Sequence, residues 1–251
     1  MDLTKEAIQY LWESSVAPQD RLINFDENRW IVINNEGDSK ELLPLVFNAK
    51  EPIWLHTLSS LVNYIKAGLD RVEERLIVHI QSEREVQLLG TIKEDGSREV
   101  LARVEAIIPQ FNYGLFSDME SFNIALQSKF VDLSNDKEYD DRALILQVVG
   151  NVSEENIRQT GDDGVSQAVT VKNGVASQAN VQVPNPVTLA PYRTFSEVDQ
   201  PASQFIFRMK DGPRAAIFEA DGGAWRKEAI ENVRQYFLKE LNDAKNITIL
   251  A

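Results

Sequence analysis

An arginine beside a tyrosine, Tyr192-Arg193, sits in the stretch Val183-Pro184-Asn185-Pro186-Val187-Thr188-Leu189-Ala190-Pro191-Tyr192-Arg193-Thr194-Phe195. A guanidinium fixed on such a stretch can hold a carboxylate or phosphate in a forked geometry, and the neighbouring ring can take a base. Tyr192 and Arg193 are therefore the candidate ligand-binding residues. The same arginine could instead close a salt bridge with a nearby acid or stack on an aromatic ring. A second constellation is acidic: Asp162 and Asp163 in Gly161-Asp162-Asp163-Gly164, and Glu219 and Asp221 in Glu219-Ala220-Asp221. Vicinal aspartates on a turn present oxygen ligands to Mg²⁺ or Ca²⁺, and four converging carboxylates would suit two-metal hydrolysis. These four are the candidate metal ligands, against the plainer reading that Asp and Gly serve turn geometry. No cofactor is expected beyond Mg²⁺ under that hydrolase reading.

Other chemistries lack their residues. The chain has no cysteine, which removes disulfides, thiolate nucleophiles and sulfur-ligated metals together. Of its two histidines, His79 lies in an alternating strand pattern and His56 just ahead of a helix start; neither is accompanied by a G-x-S-x-G motif. The Gly161–Gly164 turn has neither the lysine nor the spacing of a phosphate-binding loop. With 39 acidic and 26 basic residues the formal charge is −13, which disfavours direct nucleic-acid binding and suits a soluble protein or a basic partner. No apolar run is long enough to span a membrane, and the first residues lack a secretory signal's basic start and apolar block, so a cytoplasmic protein is expected.

The elements that must position these residues follow from periodicity. The candidate stretch lies between two hairpin patterns, 165–183 broken at Lys172-Asn173-Gly174 and 205–218 broken at Lys210-Asp211-Gly212-Pro213. Its three prolines forbid helix, so it is expected to be extended and fixed in shape. Upstream, residues 3–14 show helical spacing and 21–34 reads as two short strands, followed by a loop over 38–51. Thr57 can cap a helix that carries Leu58, Leu61, Val62, Ile65 and Leu69. Residues 75–82, 85–93 and 98–107 read as a three-stranded meander. Ser117-Asp118-Met119-Glu120 suggests a capping box, with Ser117 as the cap of a helix over about 118–131. A helix over 139–149, a long helix over 224–241 and an edge strand over 246–250 complete the reading. The fold class is α+β, mainly antiparallel sheet packed against three or four helices, with an N-terminal segment 1–54 and a body 55–251.

Several of these stretches resemble the YfdQ-like family of uncharacterised phage and prophage proteins. The resemblance is carried by Gly150-Asn151-Val152, Gly161-Asp162-Asp163-Gly164-Val165, the 183–195 stretch, Phe116-Ser117-Asp118-Met119-Glu120-Ser121-Phe122, Leu126-Gln127-Ser128-Lys129-Phe130 and Glu219-Ala220-Asp221-Gly222-Gly223-Ala224-Trp225. It runs from about residue 55 to 241, and the first fifty residues look individual. It implies expression inside an infected bacterium and a part in phage DNA metabolism or in countering host defence. It brings no catalytic residues.

The leading expectation is a non-enzymatic, homo-oligomeric phage protein that binds a host or phage protein in the host cytoplasm. Its exposed hairpins offer edges that could pair between subunits. The alternatives are a small-ligand protein that binds or sequesters a nucleotide through Tyr192 and Arg193, and a metal-dependent nuclease or hydrolase using Asp162, Asp163, Glu219 and Asp221.

Overall fold

The computed structural model describes residues 21–26, 29–33, 39–42, 49–70, 75–93, 96–133, 141–151, 167–173, 177–183, 185–210 and 214–251. The chain divides into two compact units, one of residues 1–50 with 92–99 and one of residues 51–91 with 100–251. The expected helix over 3–14 lies outside the described residues.

In the first unit β1 (Arg21–Asp26), β2 (Arg29–Ile33) and β3 (Ser39–Leu42) form an antiparallel sheet in that order. Ile23 faces Ile31 and Leu22 faces Val32, the hairpin that the two apolar runs predict. The loop expected over 38–51 is corrected at β3, where Ser39-Lys40-Glu41-Leu42 pairs with β2. A polar tetrapeptide shows no alternation of its own, and its partner supplies the ladder. In the same unit the Glu99 carboxylate joins Lys93 Nζ at 2.8 Å and accepts the Ala49 N–H at 2.5 Å.

The second unit is α+β. It begins with β4 (Ile53–Leu55) and α1 (Leu58–Lys66), whose cap Thr57 accepts from the Ser60 N–H as its position predicts. Leu58, Leu61, Val62 and Ile65 are buried, whereas Leu69, expected on the same stripe, is 54% exposed beyond the helix end. There follow β5 (Leu76–Ile80), β6 (Glu85–Ile92), β7 (Arg98–Glu105), β8 (Ser117–Asp118) and α2 (Met119–Lys129). The cap of α2 is corrected: Asp118, not Ser117, accepts the Ser121 N–H, at 2.8 Å. Ser117 is held one residue earlier, where it faces Ala215 across a sheet.

After α2 come α3 (Asp141–Asn151), β9 (Gln167–Asn173), β10 (Ser177–Val183), β11 (Val187–Leu189), β12 (Ser203–Lys210), β13 (Arg214–Glu219), α4 (Trp225–Glu240) and β14 (Ile247–Leu250). Both expected hairpins form. β9 pairs with β10 out to Asn173↔Ser177, and β12 pairs with β13 out to Lys210↔Arg214. β14 is the expected edge strand and runs parallel to β5.

Two sheets and four described helices make two cores. The order β14-β5-β6-β7-β4 carries α1 and α4 on Leu76, Val78, Ile80, Val86 and Leu88. The order β11-β12-β13-β8 carries α2 and α3 on Phe205, Phe207, Met209 and Ile217. α4 contributes Trp225, Ala229, Val233 and Phe237, one per turn, all buried. Each such aromatic stabilises by about 2–3 kcal/mol when removed from water. The connector between β10 and β12 belongs to both cores, since Val187 and Leu189 pack in the second and Phe195 in the first. It is extended as its prolines predict, and the Asn185–Pro186 bond is cis.

Candidate functional site

Residues 190–194 are fixed from both sides. Ala190 C=O accepts the Val131 N–H at 2.8 Å, and Tyr192 N–H donates to Lys129 C=O at 3.0 Å, so the end of α2 is tied to the connector. The N–H groups of Arg193 and Thr194 both donate to the Gln200 Oε1, at 2.9 and 3.2 Å. Gln200 in turn donates to the Phe195 and Val198 carbonyls, and Thr194 Oγ1 donates to the Glu83 carbonyl at 2.5 Å. In an extended chain successive side chains point to opposite sides. Tyr192 is accordingly 36% exposed and Arg193 only 3%.

Arg193 is thereby turned inward among fixed partners. Nη2 donates to Ser203 Oγ at 2.6 Å and to the Pro201 carbonyl at 3.4 Å, and Nη1 donates to Glu219 Oε1 at 3.3 Å. The guanidinium lies 3.9 Å from the centre of the Trp225 ring and 5.5 Å from that of Phe205. Burial lowers its pKa, and the charges of Asp221 and Glu219 oppose that shift. Its Nε, the Asp221 Oδ2 and the Trp225 Nε1 are buried with no protein partner. The other Asp221 oxygen accepts the Gly223 N–H at 3.0 Å. Gly223 has φ +83°, a backbone conformation that strains any residue with a Cβ, so this turn favours glycine.

Beside Arg193 opens a cleft of about 320 Å³, lined by residues 108–113, Arg84, Tyr192 and Arg193. Arg84 reaches it from the turn between β5 and β6, with half its side chain exposed and a 3.8 Å contact to Glu83. Tyr113 lies along its floor, stacked on Phe205 at 5.7 Å with 15° between the rings. Burial pushes the Tyr113 phenol up to about 12, with Glu219 adding to the shift and Arg193 and Arg84 opposing it. The phenol is therefore a neutral hydrogen-bond donor at ordinary pH. Phe111 turns into the core against Phe130 and Phe122, leaving Gln110 and Asn112 exposed. Lys129 Nζ donates to the Gln110 carbonyl at 2.5 Å.

The structure thus brings Arg193 and Glu219 together, sets Asp221 close by, and places Tyr192 on the cleft rim. Asp162 and Asp163 lie outside the described residues. Among the described residues no group of three or more histidines and carboxylates is placed to hold a metal ion. Glu219 and Asp221 are engaged by Arg193 and Gly223. His79 is the half-exposed strand residue that the pattern predicts, and His56 Nδ1 lies 3.2 Å from the Glu105 carbonyl.

Arg84, Gln110, Asn112 and Tyr113 escape the sequence reading. Arg84 stands in a turn with no motif around it. The other three share an irregular segment whose signal is compositional, Pro109-Gln110-Phe111-Asn112-Tyr113-Gly114 between a strand and a helix cap. Chemically, the described lining offers cations, amides and phenols, with no carboxylate, imidazole, serine or threonine. Such a set can bind an anion and stack a ring, but it lacks a base poised near neutrality. Comparison with protein-family models, with curated proteins and with solved structures returns no match.

Proposed function

We propose that this protein works by binding rather than by catalysis, and that a small anion seats in the cleft against Arg84. The observation that carries this is the cleft itself. A chain of net charge −13 sets two arginines, Arg84 and Arg193, and the phenols of Tyr113 and Tyr192 around one concavity of about 320 Å³ whose described lining has no carboxylate. Opposite charge gathered in a walled recess attracts a ligand that the rest of the surface repels. Arg193, the sequence candidate for the gripping cation, has a different part here: its fork is spent on Ser203 and Glu219, so it shapes the floor and adds charge while Arg84 offers donors. Native mass spectrometry of mildly purified protein tests this. A ligand-sized extra mass that denaturation releases and Arg84→Glu abolishes is the expected result. Bare protein, with no anion in a broad panel raising the melting temperature, would reject it.

A second reading, a homo-oligomer that also binds another protein, draws on Ile53 and Trp54. They are 41% and 57% exposed on β4, at the edge of the five-stranded sheet. A single-chain mass in the same experiment would remove the oligomer. The setting of either reading, an infected bacterium with a part in DNA metabolism or counter-defence, rests on the family resemblance alone. The hydrolase reading depends on Asp162 and Asp163, and Mg²⁺ has no described site to support it. Among the described residues no helix is long and apolar enough to cross a membrane.

A further inference from the structure

We propose that the ligand of the cleft is a nucleoside monophosphate, with its phosphate on Arg84, its base against Tyr192, and the base edge read by Gln110 and Asn112. This rests on the small-anion reading above and narrows it. The cleft volume of about 320 Å³ stands at the lower end of the range for small-molecule sites, which suits one nucleotide. Among the described residues the Arg84 side chain makes no hydrogen bond, only the 3.8 Å contact of its Nε with Glu83. Its outer N–H groups can thus take a phosphate in the forked geometry that guanidinium favours.

The 108–113 segment of the lining suits a different kind of group. Gln110 and Asn112 both line the cleft and are both exposed, while Phe111 between them packs against Phe130 in the second core. Two amide residues lining one cleft, each with a donor and an acceptor, match the paired donors and acceptors along a nucleobase edge. Tyr192 supplies the ring face, and its main chain is pinned to Lys129, so stacking costs little ordering. Competing anions fit less of the site. An amino acid would need a carboxylate for its ammonium group, and the described lining has none. A sugar phosphate leaves Tyr192 and both amides unused. A nucleic-acid chain meets the repulsion of a −13 surface beyond the cleft.

Calorimetry on the full chain with AMP, GMP, CMP and UMP, beside ribose 5-phosphate, inorganic phosphate and the free nucleosides, tests the proposal. At least one nucleotide should bind about 10-fold more tightly than ribose 5-phosphate, the margin expected of one stacked base. Tyr192→Ala should erase that margin without weakening ribose 5-phosphate, and Tyr192→Phe should restore it. Arg84→Gln should weaken every phosphate-bearing compound and spare the nucleosides. Unchanged melting temperatures of the unliganded variants would show intact folds. If ribose 5-phosphate binds as tightly as each nucleotide, the base assignment is overturned while the small-anion reading stands. If no anion gives heat or thermal stabilisation, both fail. Tighter binding of a 5′-phosphorylated hexanucleotide than of any free nucleotide would also overturn the proposal, because the ligand would then be a chain end.

Discussion

The Arg193 guanidinium lies 3.9 Å from the centre of the Trp225 ring, so the connector and the start of α4 meet through a cation buried on an aromatic face. Its fork is matched to Ser203 and Glu219, and a lysine cannot reproduce that geometry. Arg193→Lys should therefore cost about 3 kcal/mol, because it leaves a buried ammonium incompletely paired. Arg193→Met should cost less, about 1–2 kcal/mol, since Glu219 is 40% exposed and rehydrates while the apolar chain still covers Trp225. Urea denaturation of the two variants measures the order, and a larger loss for methionine would contradict it.

At the other end of the first core, the Glu197 carboxylate accepts the N–H groups of both Leu58 and Ser59 at 2.8 Å. It satisfies two donors that the first turn of α1 would otherwise leave open, and its charge lies at the favourable end of the helix dipole. Glu197→Ala should lower stability by about 1–2 kcal/mol, with Glu197→Gln intermediate. Hydrogen exchange should accelerate at the Leu58 and Ser59 amides before it does elsewhere in α1.

Tyr113 makes the cleft floor sensitive to alkali. Its phenol is shifted from 10.0 to about 12, so the folded state favours the neutral form. The stability it contributes is complete below about pH 10 and is lost as the pH rises toward about 12. Ultraviolet titration should show late-ionising tyrosine absorbance that diminishes in Tyr113→Phe, the remainder belonging to Tyr236, whose pKa burial also raises. That variant should also flatten the fall in stability across the same interval.

Asn185 extends the β11–β12 ladder with a side chain. Its Nδ2 donates to the Phe207 carbonyl at 3.2 Å, and its Oδ1 accepts the Phe207 N–H at 2.9 Å. Pro186 has no N–H to give, and the asparagine amide pairs with the strand in its place. Asn185→Ala should cost about 2 kcal/mol by leaving both Phe207 groups without these partners. Asn185→Asp keeps the acceptor alone and should recover about half of that, as thermal unfolding would show.

What the sequence revealed of the fold was what periodicity encodes. α4 shows its buried stripe at four-residue spacing, and β12 alternates buried Phe205, Phe207 and Met209 with exposed Gln204, Ile206 and Lys210. Short elements escaped, because β4 has three residues and β3 four, too few to show a period. Ser117 reads locally as the α2 cap because local chemistry cannot register that a strand claims it. At the site, the Tyr192-Arg193 pair was legible from Pro191 and residue type, but which side chain faces solvent follows from Gln200, Lys129 and Glu83, all distant in the chain. Arg84 enters the cleft only through the order of the strands, which no local pattern carries.

The parallel pairing of β14 with β5 sets Leu76 beside Ile247 and His79 beside Leu250. During synthesis β5 leaves the ribosome long before its outer neighbour has been made. Until Ile247 emerges, one flank of β5 has water or a chaperone for company, and α1 lacks the α4 side chains that share its core. Completion of this sheet is therefore a late, long-range closure, the kind of contact whose loop-closure entropy must be met before it rewards folding.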